Sequence, residues 1–388
     1  MHVEISIFWI CVLLITYTYL FYPLAIRLFA CLRGSSRIEE GVTLPSVSFV
    51  IAARNEGERI AERVAELVQQ LDNSQVEGEV ILVVDGPGHI TCTKRLEDLE
   101  RVHVLQLSEN RGKAAAISEG ANLAKHEVLA FADVRQRWQE DALQRLLESF
   151  RDPQVGAVSG DLVLQSTDGV LQGVGLYWKY EKWIRRNEAM FDSVVGVTGA
   201  ICAVRRHLFH GVPAGTILDD VYWPMRVILQ GYRVAHNPRA VAFDRLPEKP
   251  QAELRRKIRT LSGNFQLVAL LPAVVSPRRN RLWWQFVSHK LMRLAVPWLL
   301  LAVLLLGFAI DQGVYRILSW IQVVAGGAVL VGVRSDFVGR TRLGSAVASF
   351  VMLNVAAWLA FWVWISGRAG KSWNSTHYEP LHSSADRA

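Results

Sequence analysis

Several features that assign proteins to common classes are missing from this chain of 388 residues. Its four cysteines, Cys11, Cys31, Cys92 and Cys202, show neither the close pairing of a disulfide framework nor the spacing of metal ligands. No internal repeat or low-complexity segment occurs, and no motif combines basic and aromatic residues as RNA-binding modules do. We therefore expect a reduced protein that does not bind nucleic acid, and its pI near 9.3 must have another cause.

Charge is absent from four long stretches, in a chain that is 51% hydrophobic. The first stretch, Ile5–Ile26, has enough residues to span a bilayer. A secretory signal is the alternative interpretation, but the stretch follows Glu4 rather than a basic start and is longer than a typical signal core. Three more stretches follow at Leu294–Ile310, Ile317–Val333 and Leu343–Ser366. We expect a multi-pass membrane protein, with membrane lipid as one of its partners.

The basic residues next to these stretches predict the orientation of the chain and account for the high pI. They follow the first span and precede the second, at Arg27, Arg33, Arg37, Arg278, Arg279, Arg281, Lys290 and Arg293. Because cytoplasmic flanks are enriched in lysine and arginine, the region between them is predicted to be cytoplasmic, at the inner (plasma) membrane. Arg368 and Lys371 conflict with an even number of spans, so the side of the C-terminal tail stays open.

These patterns predict five segments in chain order. They are an N-terminal anchor at 1–32, a cytoplasmic domain at 33–270, an interfacial segment at 271–293, about three transmembrane helices at 294–366 and a C-terminal tail at 367–388.

Within the predicted cytoplasmic domain, apolar strands alternate with helical patterns. The strands are VSFVIA (47–52), EVILVV (79–84), RVHVLQL (101–107) and EVLAFA (127–132). The alternation predicts an α/β fold, with a mostly parallel sheet covered by helices on both faces. Such sheets bind ligands at the carboxyl ends of their strands, which is where Ala53, Glu56, Asp85 and Asp133 fall.

The charged residues at this edge have two interpretations. Asp85, before a Gly-Pro-Gly turn, and Asp133 could simply form or cap turns. Arg111 and Lys113 could be solvated, but cations at the start of a helix oppose the helix dipole. A bound diphosphate accounts for them, because backbone N–H groups and a lysine together suit its charge. One nucleotide site thus explains all four residues.

Two further motifs lie in the second half of the domain. Thr198-Gly199-Ala200 precedes an apolar stretch, and its glycine allows a ligand or another backbone to approach closely. Asp219 and Asp220 open a helix, where acids are favoured by the dipole. In a cleft, their mutual repulsion and partial burial would also suit one of them to act as a general base. The basic helix that follows, at 253–266, could lie on a lipid surface.

The order of these motifs resembles that of inverting family 2 glycosyltransferases, and more closely that of the membrane-embedded enzymes of bacterial cell-surface polysaccharides. In chain order they are ARNE, VVDG, NRGKAAA, FADVRQ, VTGAICAVRR, LDDV and RRKIR, within about residues 45–265. The resemblance implies the GT-A fold, a Rossmann-like nucleotide-sugar-binding domain, flanked here by transmembrane helices. It also implies transfer of a sugar, with inversion, from a nucleotide diphosphate sugar to an acceptor hydroxyl at the inner membrane face. A UDP-sugar is the first candidate for the donor. The acceptor would be a lipid-linked molecule or a glycan.

On the donor side, the resemblance implies these roles: Ala53, Glu56 and Asp85 bind the base and ribose, Lys113 lies near the diphosphate, and Asp133 binds Mg²⁺ or Mn²⁺. Arg256 and Arg259 match the donor-binding Gln-x-x-Arg-Trp motif, with Arg256 in place of glutamine and Thr260 in place of tryptophan. On the acceptor side, Thr198, Gly199 and Ala200 would line the site. Asp220 would be the catalytic base, with Asp219 in place of the usual glutamate.

Two departures from the family pattern bear on these roles. Arg135 stands where the metal motif has a second acid. Because nucleotide phosphates and water supply most ligands of Mg²⁺, Asp133 alone can suffice, and Arg135 would neutralise a phosphate or a charged sugar. Thr260 offers little stacking surface for an acceptor, so we expect short products rather than long processive chains.

Two rival functions fit the same sequence. One is a transferase that charges a polyprenyl phosphate lipid with a single sugar. The other is a non-catalytic membrane scaffold that binds nucleotide as a signal, and the intact Asp219–Asp220 pair argues against it.

Overall fold

The structure is a computed structural model, and it describes residues 2–33, 43–57, 59–87, 96, 99–165, 172–245, 250–332 and 342–368. The chain separates into two compact units. The α/β unit is built from Ser36–Ser166 and Gly196–Pro250, and the helical unit from Met1–Ser35, Thr167–Val195 and Gln251–Ala369. Residues 172–195 and 251–270, which were expected in the cytoplasmic domain, therefore group with the apolar helices.

One eight-stranded sheet forms the α/β unit. Its strands are β1 (Val47–Ala53), β2 (Gly78–Val84), β3 (Val102–Gln106), β4 (Val128–Ala132), β5 (Arg137–Trp138), β6 (Val155–Gln165), β7 (Ile201–Arg205) and β8 (Arg233–Arg245). They lie in the order β3-β2-β1-β4-β7-β6-β8-β5. The first four strands are mutually parallel, β7 runs antiparallel to both β4 and β6, β6 is parallel to β8, and β5 is antiparallel to β8. The predicted α/β fold with a mostly parallel sheet is confirmed.

The strands at the centre of the sheet are buried on both faces, as their continuous apolar sequences require. Every residue of β2 and of β4 is buried, and so are six of the seven in β1. The antiparallel pairing of β7 with β4 places Ala132 opposite Ile201. As a consequence, Asp133 and Ala200, the next residue on each strand, leave the sheet at the same edge.

Within the described residues, four helices accompany this sheet: α3 (Arg59–Ser74), α4 (Lys113–Leu123), α5 (Ala142–Glu148) and α7 (Asp219–Leu229). Helix α3 is amphipathic, and Ile60, Val64 and Leu67 on its inward face are buried. Helix α4 packs on β1 and β2 with a face of alanine and glycine. A Cβ atom on Gly120 would lie 2.6 Å from Val50 Cγ1 and 2.9 Å from Val83 Cγ2, so only glycine permits this close packing.

The described part of the helical unit consists mainly of helices. They are α1 (His2–Thr16) and α2 (Tyr22–Arg33), joined by a π-helical turn, then α6 (Gln172–Phe191), α8 (Pro250–Leu270), α9 (Met292–Ala309), α10 (Gly313–Gly332) and α11 (Arg342–Ile365). Among the described residues, three helical segments are long and apolar enough to cross a membrane: His2–Arg33, Trp283–Ala309 and Val347–Ile365. Large apolar side chains such as Leu13 (58% exposed) and Leu305 (60% exposed) point away from the protein, as they would in lipid.

Polar groups buried within the helical unit are partners of one another. His289 lies between two carboxylates of α6, with Nδ1 2.8 Å from Glu188 Oε1 and Nε2 3.0 Å from Glu181 Oε2. Tyr22 donates to Glu188 Oε1 at 2.5 Å, and Arg293 pairs with Glu181. Ionisable side chains at membrane depth are costly unless paired, and this network ties α2, α6 and α9 together.

The close packing of α4 on the sheet yields a stability prediction. Gly120→Ala should lower the free energy of unfolding of the α/β unit by about 1–3 kcal/mol, because its methyl group would overlap Val50 and Val83. The measurement is thermal unfolding of the purified protein. Gly326→Ala is the matched control, because no atom lies within 4 Å of a Cβ built there. Equal melting temperatures for both variants would contradict the packing.

Candidate active site

Three elements of the α/β unit bring charged side chains together. Lys113 is the first residue of α4, Asp133 follows the end of β4, and Asp219 and Asp220 form the first turn of α7. The Nζ atom of Lys113 donates to Asp133 Oδ1 at 2.7 Å and lies 3.9 Å from Asp219 Oδ2. We refer to Lys113, Asp133, Asp219 and Asp220 as the lysine–carboxylate cluster. The structure thus unites four residues that the sequence implicated separately.

Local sequence explains each position. Asp133 comes directly after the five buried residues of β4, where the strand reaches the edge of the sheet. Asp219 and Asp220 occupy a helix N-terminus, whose dipole favours negative charge. The same dipole disfavours Lys113 at the start of α4, and the facing carboxylates compensate for it.

The charge state of Lys113 follows from these neighbours. Burial opposes the positive charge, but Asp133, Asp219 and Asp220 together hold the pKa of the Lys113 ammonium above the ordinary lysine value. The stabilisation from this ammonium is therefore complete below the usual lysine pKa of about 10.4 and is lost only at still higher pH. One cation faces three carboxylates, so the cluster suits a further cation.

Gly199 leaves the cluster open on one side. A Cβ atom at Gly199 would lie 3.5 Å from Asp220 Cβ, 3.8 Å from Asp220 Oδ2 and 3.7 Å from Lys113 Nζ. A larger side chain would therefore cover the Asp220 carboxylate. Phe131 and Trp223 supply apolar walls to the same pocket, which Lys113, Asp133, Gly199, Asp219 and Asp220 also line.

The turn that contains Gly199 is held from both sides. The backbone N–H of Thr198 donates to Ser159 Oγ at 2.9 Å, and the carbonyl of Ala200 accepts from Trp138 Nε1 at 2.9 Å. Thr198 and Ala200 are themselves 8% and 5% exposed. The turn thus brings Gly199, one of the three predicted acceptor-site residues, directly to the Asp220 carboxylate. The role of Thr198, Gly199 and Ala200 in acceptor binding stays a prediction.

Asp85 shapes the loop that precedes Lys113. Its buried carboxylate accepts the backbone N–H of Arg111 at 2.7 Å through Oδ1 and that of Gly112 at 2.9 Å through Oδ2. Asp85 in turn donates its backbone N–H to the Ala53 carbonyl at 3.0 Å. Each carboxylate oxygen of Asp85 has a further lone pair, so it can also accept a hydrogen bond from a base. That contact with a base stays a prediction.

Ala53 and Glu56 lie at the same edge of the sheet as Asp85. Ala53 ends β1 and is buried, whereas Glu56 is half-buried in the following loop. Asn55 and Gly57 in that loop have positive φ angles of 56° and 57°. The loop therefore turns sharply at the carboxyl end of β1. Its contact with a nucleoside stays a prediction.

Two of the arginines implicated by the sequence, Arg256 and Arg135, pair with acidic side chains of the protein. Arg256 and Arg259 lie on α8, and Arg256 donates to Glu253 at 2.8 Å. Arg135 donates to Asp244 Oδ2 of β8 at 2.7 Å, and Gln136 donates to the same oxygen at 2.9 Å. The Arg135 guanidinium thus anchors its own segment to β8, and its predicted contact with a phosphate stays a prediction.

The donor set can be compared with what a divalent cation needs. Among the described residues, no group of three histidine, cysteine, aspartate or glutamate side chains is arranged to hold a metal. Lys113 bonds Oδ1 of Asp133 and leaves Oδ2 for a cation. The residues therefore fit an ion that takes one protein carboxylate and completes its shell with phosphate and water oxygens. They do not fit a cage made of protein ligands alone.

Sequence reasoning missed two residues behind the cluster, Arg63 and Trp138. Arg63 lies on the buried face of α3 between Ile60 and Leu67, and is 1% exposed. The sequence did contain a signal for Arg63, because it is a charged residue on the inward face of an amphipathic helix. Trp138 is buried five residues after Asp133, and its indole N–H required a partner within the fold.

Comparison with known proteins agrees with this geometry. Residues 48–212 match the family model described as glycosyl transferase family 2. Similar proteins include the poly-beta-1,6-N-acetyl-D-glucosamine synthase of Staphylococcus aureus, 22% identical over 313 residues that cover 79% of this chain and 73% of that protein. The synthase of Staphylococcus epidermidis is 23% identical over 231 residues, which cover 57% of this chain and 55% of that protein.

A solved structure extends the likeness beyond the matched region. A mannosyltransferase from Pyrobaculum calidifontis, in complex with GDP-Man and Mn²⁺, aligns with a TM-score of 0.71 and 18% identity. The alignment covers 93% of this chain and 99% of that one. At this identity, the likeness establishes a shared fold.

The lysine–carboxylate cluster yields a prediction about charge. Lys113→Met should leave three carboxylates without their cation and so repel an anionic ligand, with a loss of activity of roughly a hundredfold. Sugar transfer measured with labelled nucleotide sugar is the assay. Lys125→Met, which removes an exposed lysine of the same unit, is the matched control and should behave as the unchanged protein. Equal activities of the two variants would remove Lys113 from the site.

Proposed function

Because this chain is a family 2 glycosyltransferase, we propose that it moves a sugar from a nucleotide diphosphate sugar to an acceptor hydroxyl with inversion, in the synthesis of a cell-surface polysaccharide. The observation that carries the proposal is the convergence of Asp133, Asp219 and Asp220 on Lys113 opposite Gly199. Carboxylates for proton transfer and a cation for a leaving phosphate are the groups that this reaction needs.

Asp220 is the general base of the proposed mechanism. Its carboxylate lies beside Gly199, and an acceptor would enter at this open side of the cluster. The acceptor hydroxyl gives its proton to Asp220 while its oxygen bonds to the anomeric carbon. The bond from that carbon to the diphosphate breaks on the opposite face, and its electron pair leaves with the nucleoside diphosphate. A single displacement of this kind inverts the anomeric configuration.

Lys113 and Asp219 would act on the leaving group, the nucleoside diphosphate. The Lys113 ammonium, which donates to Asp133 Oδ1, carries the positive charge of the cluster and would face the diphosphate. Asp219, 3.9 Å away, helps to keep that ammonium in position and charged. A lysine ammonium is a compact positive charge with three N–H donors, which can bond the oxygens of a departing diphosphate.

A divalent cation is the proposed cofactor, Mg²⁺ or Mn²⁺, and Asp133 would hold it. When bound, it would neutralise charge on the diphosphate as that group departs. The excess of carboxylates over cations in the cluster supports this proposal. The mannosyltransferase that shares the fold was solved in complex with Mn²⁺, which points the same way.

A UDP-sugar is the proposed donor, and a lipid-linked or glycan molecule is the proposed acceptor. The likeness to poly-beta-1,6-N-acetyl-D-glucosamine synthases supports a glycan product, whereas the solved mannosyltransferase was studied with GDP-Man. A panel of labelled UDP- and GDP-sugars incubated with membranes that contain the protein distinguishes the donors. Label that moves into a single-sugar polyprenyl phosphate would instead support the lipid-charging alternative.

The proposed place of the reaction is the cytoplasmic face of the inner membrane, with the chain crossing the membrane several times. The three apolar helical segments support insertion, and the arginines that flank the first two support the orientation. Nucleotide sugars are made in the cytoplasm, so this orientation supplies the donor directly.

Loss of the base is the first prediction from this mechanism. Asp220→Asn keeps the size of the side chain but cannot accept the proton, so transfer should fall by roughly a hundredfold or more while donor binding persists. Initial rates with the labelled donor measure the effect. Asp72→Asn, an exposed aspartate of α3, is the control. Near-normal transfer by Asp220→Asn would shift the role to another group, with Asp219 the first to be tested.

The second prediction concerns the metal. EDTA should abolish transfer, and added Mg²⁺ or Mn²⁺ should restore it. Asp133→Ala should stay inactive with metal present, and the affinity of the protein for Mn²⁺ in the presence of nucleotide should fall, as measured by calorimetry. Transfer that is indifferent to EDTA and to Asp133→Ala would show that cationic side chains alone balance the diphosphate.

Topology provides the third prediction. In a background that carries Cys31→Ser, cysteines introduced as Arg33→Cys and Arg278→Cys should be protected from a membrane-impermeant thiol reagent in intact cells. Asp311→Cys, which follows the apolar helix α9 and is 90% exposed at its side chain, should be labelled from outside. Labelling in the opposite pattern would place the α/β unit where nucleotide sugars are absent.

A further inference from the structure

Trp138 links the end of β4 to the turn that contains Gly199. Its indole Nε1 donates to the carbonyl oxygen of Ala200 at 2.9 Å, and its side chain is 6% exposed. Its own backbone N–H donates to Glu66 Oε1 at 2.7 Å. The indole ring packs edge-on against Phe49 of β1, with the ring centroids 5.4 Å apart. The indole is thus held in place, and its only donor holds the turn.

Arg63 supports the same segment from helix α3. Its guanidinium donates through Nε to the backbone carbonyl of Asp133 at 3.1 Å and through Nη1 to Glu66 Oε1 at 2.6 Å. The carbon at the centre of the guanidinium lies 5.6 Å from the centre of the Trp138 ring. Glu66 therefore joins the two residues, because one of its oxygens accepts from both Arg63 and Trp138.

Stability alone does not explain an arginine at this position. The Arg63 side chain is almost fully buried, which opposes its positive charge, and Glu66 pairs with it through Nη1. Within the described residues, Arg63 Nη2 is buried without a hydrogen-bond partner. Replacement of a buried ion pair by apolar residues is often neutral or stabilising, so a charged group retained here points to a task other than stability.

The segment after Asp133 is anchored to the protein at several points, which indicates that the task of Arg63 is to hold this segment in position. Arg63 holds the Asp133 carbonyl, Asp244 holds Arg135 and Gln136, and Glu66 holds Trp138. The next contact in this series is the one from Trp138 to Ala200. A continuous set of hydrogen bonds therefore runs from the donor side of the cluster to the turn on its acceptor side.

We propose that Arg63, Glu66 and Trp138 form a positioning unit that sets the spacing between Asp133 and the turn at 198–200, so that an acceptor hydroxyl rather than water reaches the anomeric carbon. The inference rests on the proposed glycosyl transfer and deepens it. None of the three side chains is placed against reacting atoms. Each acts through Asp133 or through Ala200, which makes them positioning residues.

The decisive variant is Trp138→Phe, assayed in the full-length purified protein with the nucleotide sugar that the unchanged protein uses. Phenylalanine keeps an aromatic ring against Phe49 and Arg63 but removes the donor to Ala200. The rate constant for transfer should fall about tenfold, because a buried carbonyl loses its partner, while the KM for the donor changes less than about twofold. Transfer to water should fall less, so the ratio of donor hydrolysis to transfer should rise roughly fivefold.

That ratio separates positioning from folding. A smaller folded fraction lowers hydrolysis and transfer equally and leaves their ratio unchanged. Trp183→Phe is the matched control, because this residue is 37% exposed on α6 and belongs to the helical unit. An unchanged ratio and rate in Trp138→Phe would overturn the inference. A rate that falls with an unchanged ratio would also overturn it, since the indole would then be a packing element only.

Arg63→Met is the second variant, and it tests the retained charge. Methionine fills the apolar part of the space, and Glu66 keeps Arg137 and the Trp138 N–H as partners. We expect an unfolding temperature within a few degrees of the unchanged protein, together with a fall in transfer of about tenfold and a raised hydrolysis ratio. Full activity in a folded Arg63→Met protein would remove Arg63 from the positioning unit. Absence of any transfer by the unchanged protein would instead refute the proposed function itself.

Discussion

The antiparallel pairing of β7 with β4 is the constraint on which the rest of the site depends. In a purely parallel sheet, every strand would deliver its carboxyl end to the ligand edge. Here Ala132 lies opposite Ile201, so the end of β4 and the start of β7 meet at one edge. That register places Asp133 and the turn at 198–200 side by side, although more than sixty residues separate them in the chain. The lysine–carboxylate cluster forms in the space between these two segments and the first turns of α4 and α7.

The cluster departs from the charge balance of an ordinary protein surface. Three carboxylates face one ammonium, and that ammonium begins a helix whose dipole disfavours it. Arg63 is a second departure, because its guanidinium is buried and incompletely hydrogen bonded within the described residues. Local arrangements that conflict with stability are expected at functional sites, where the rest of the fold must hold them. The fully buried strands β2 and β4 and the close packing of Gly120 provide that support.

Arg135 occupies a position of the metal motif but contacts another part of the protein. Its position in the sequence, two residues after Asp133, is where the resemblance leads one to expect a second metal-binding acid. In the structure its guanidinium pairs with Asp244 on β8, and Gln136 shares that partner. The residue thus orders the segment that carries Asp133. A single carboxylate at this position is compatible with a cation whose other ligands are phosphate and water oxygens.

The sequence by itself determined the class of the fold, the apolar segments and most of the residues of the candidate site. Continuous apolar strands, amphipathic helices and acids at strand ends are local patterns, and a local pattern has the same physical cause wherever the chain places it. The predicted strands at 47–52 and 127–132 are found in the structure for that reason. Only the tertiary structure decided which of these residues meet. The pairing of β7 with β4, the partners of Arg135, and the contacts of Arg63 and Trp138 depend on strand register and helix packing, which join residues far apart in the chain. A single sequence contains no local signal for such pairings, because their free energy arises only when the segments are already in contact.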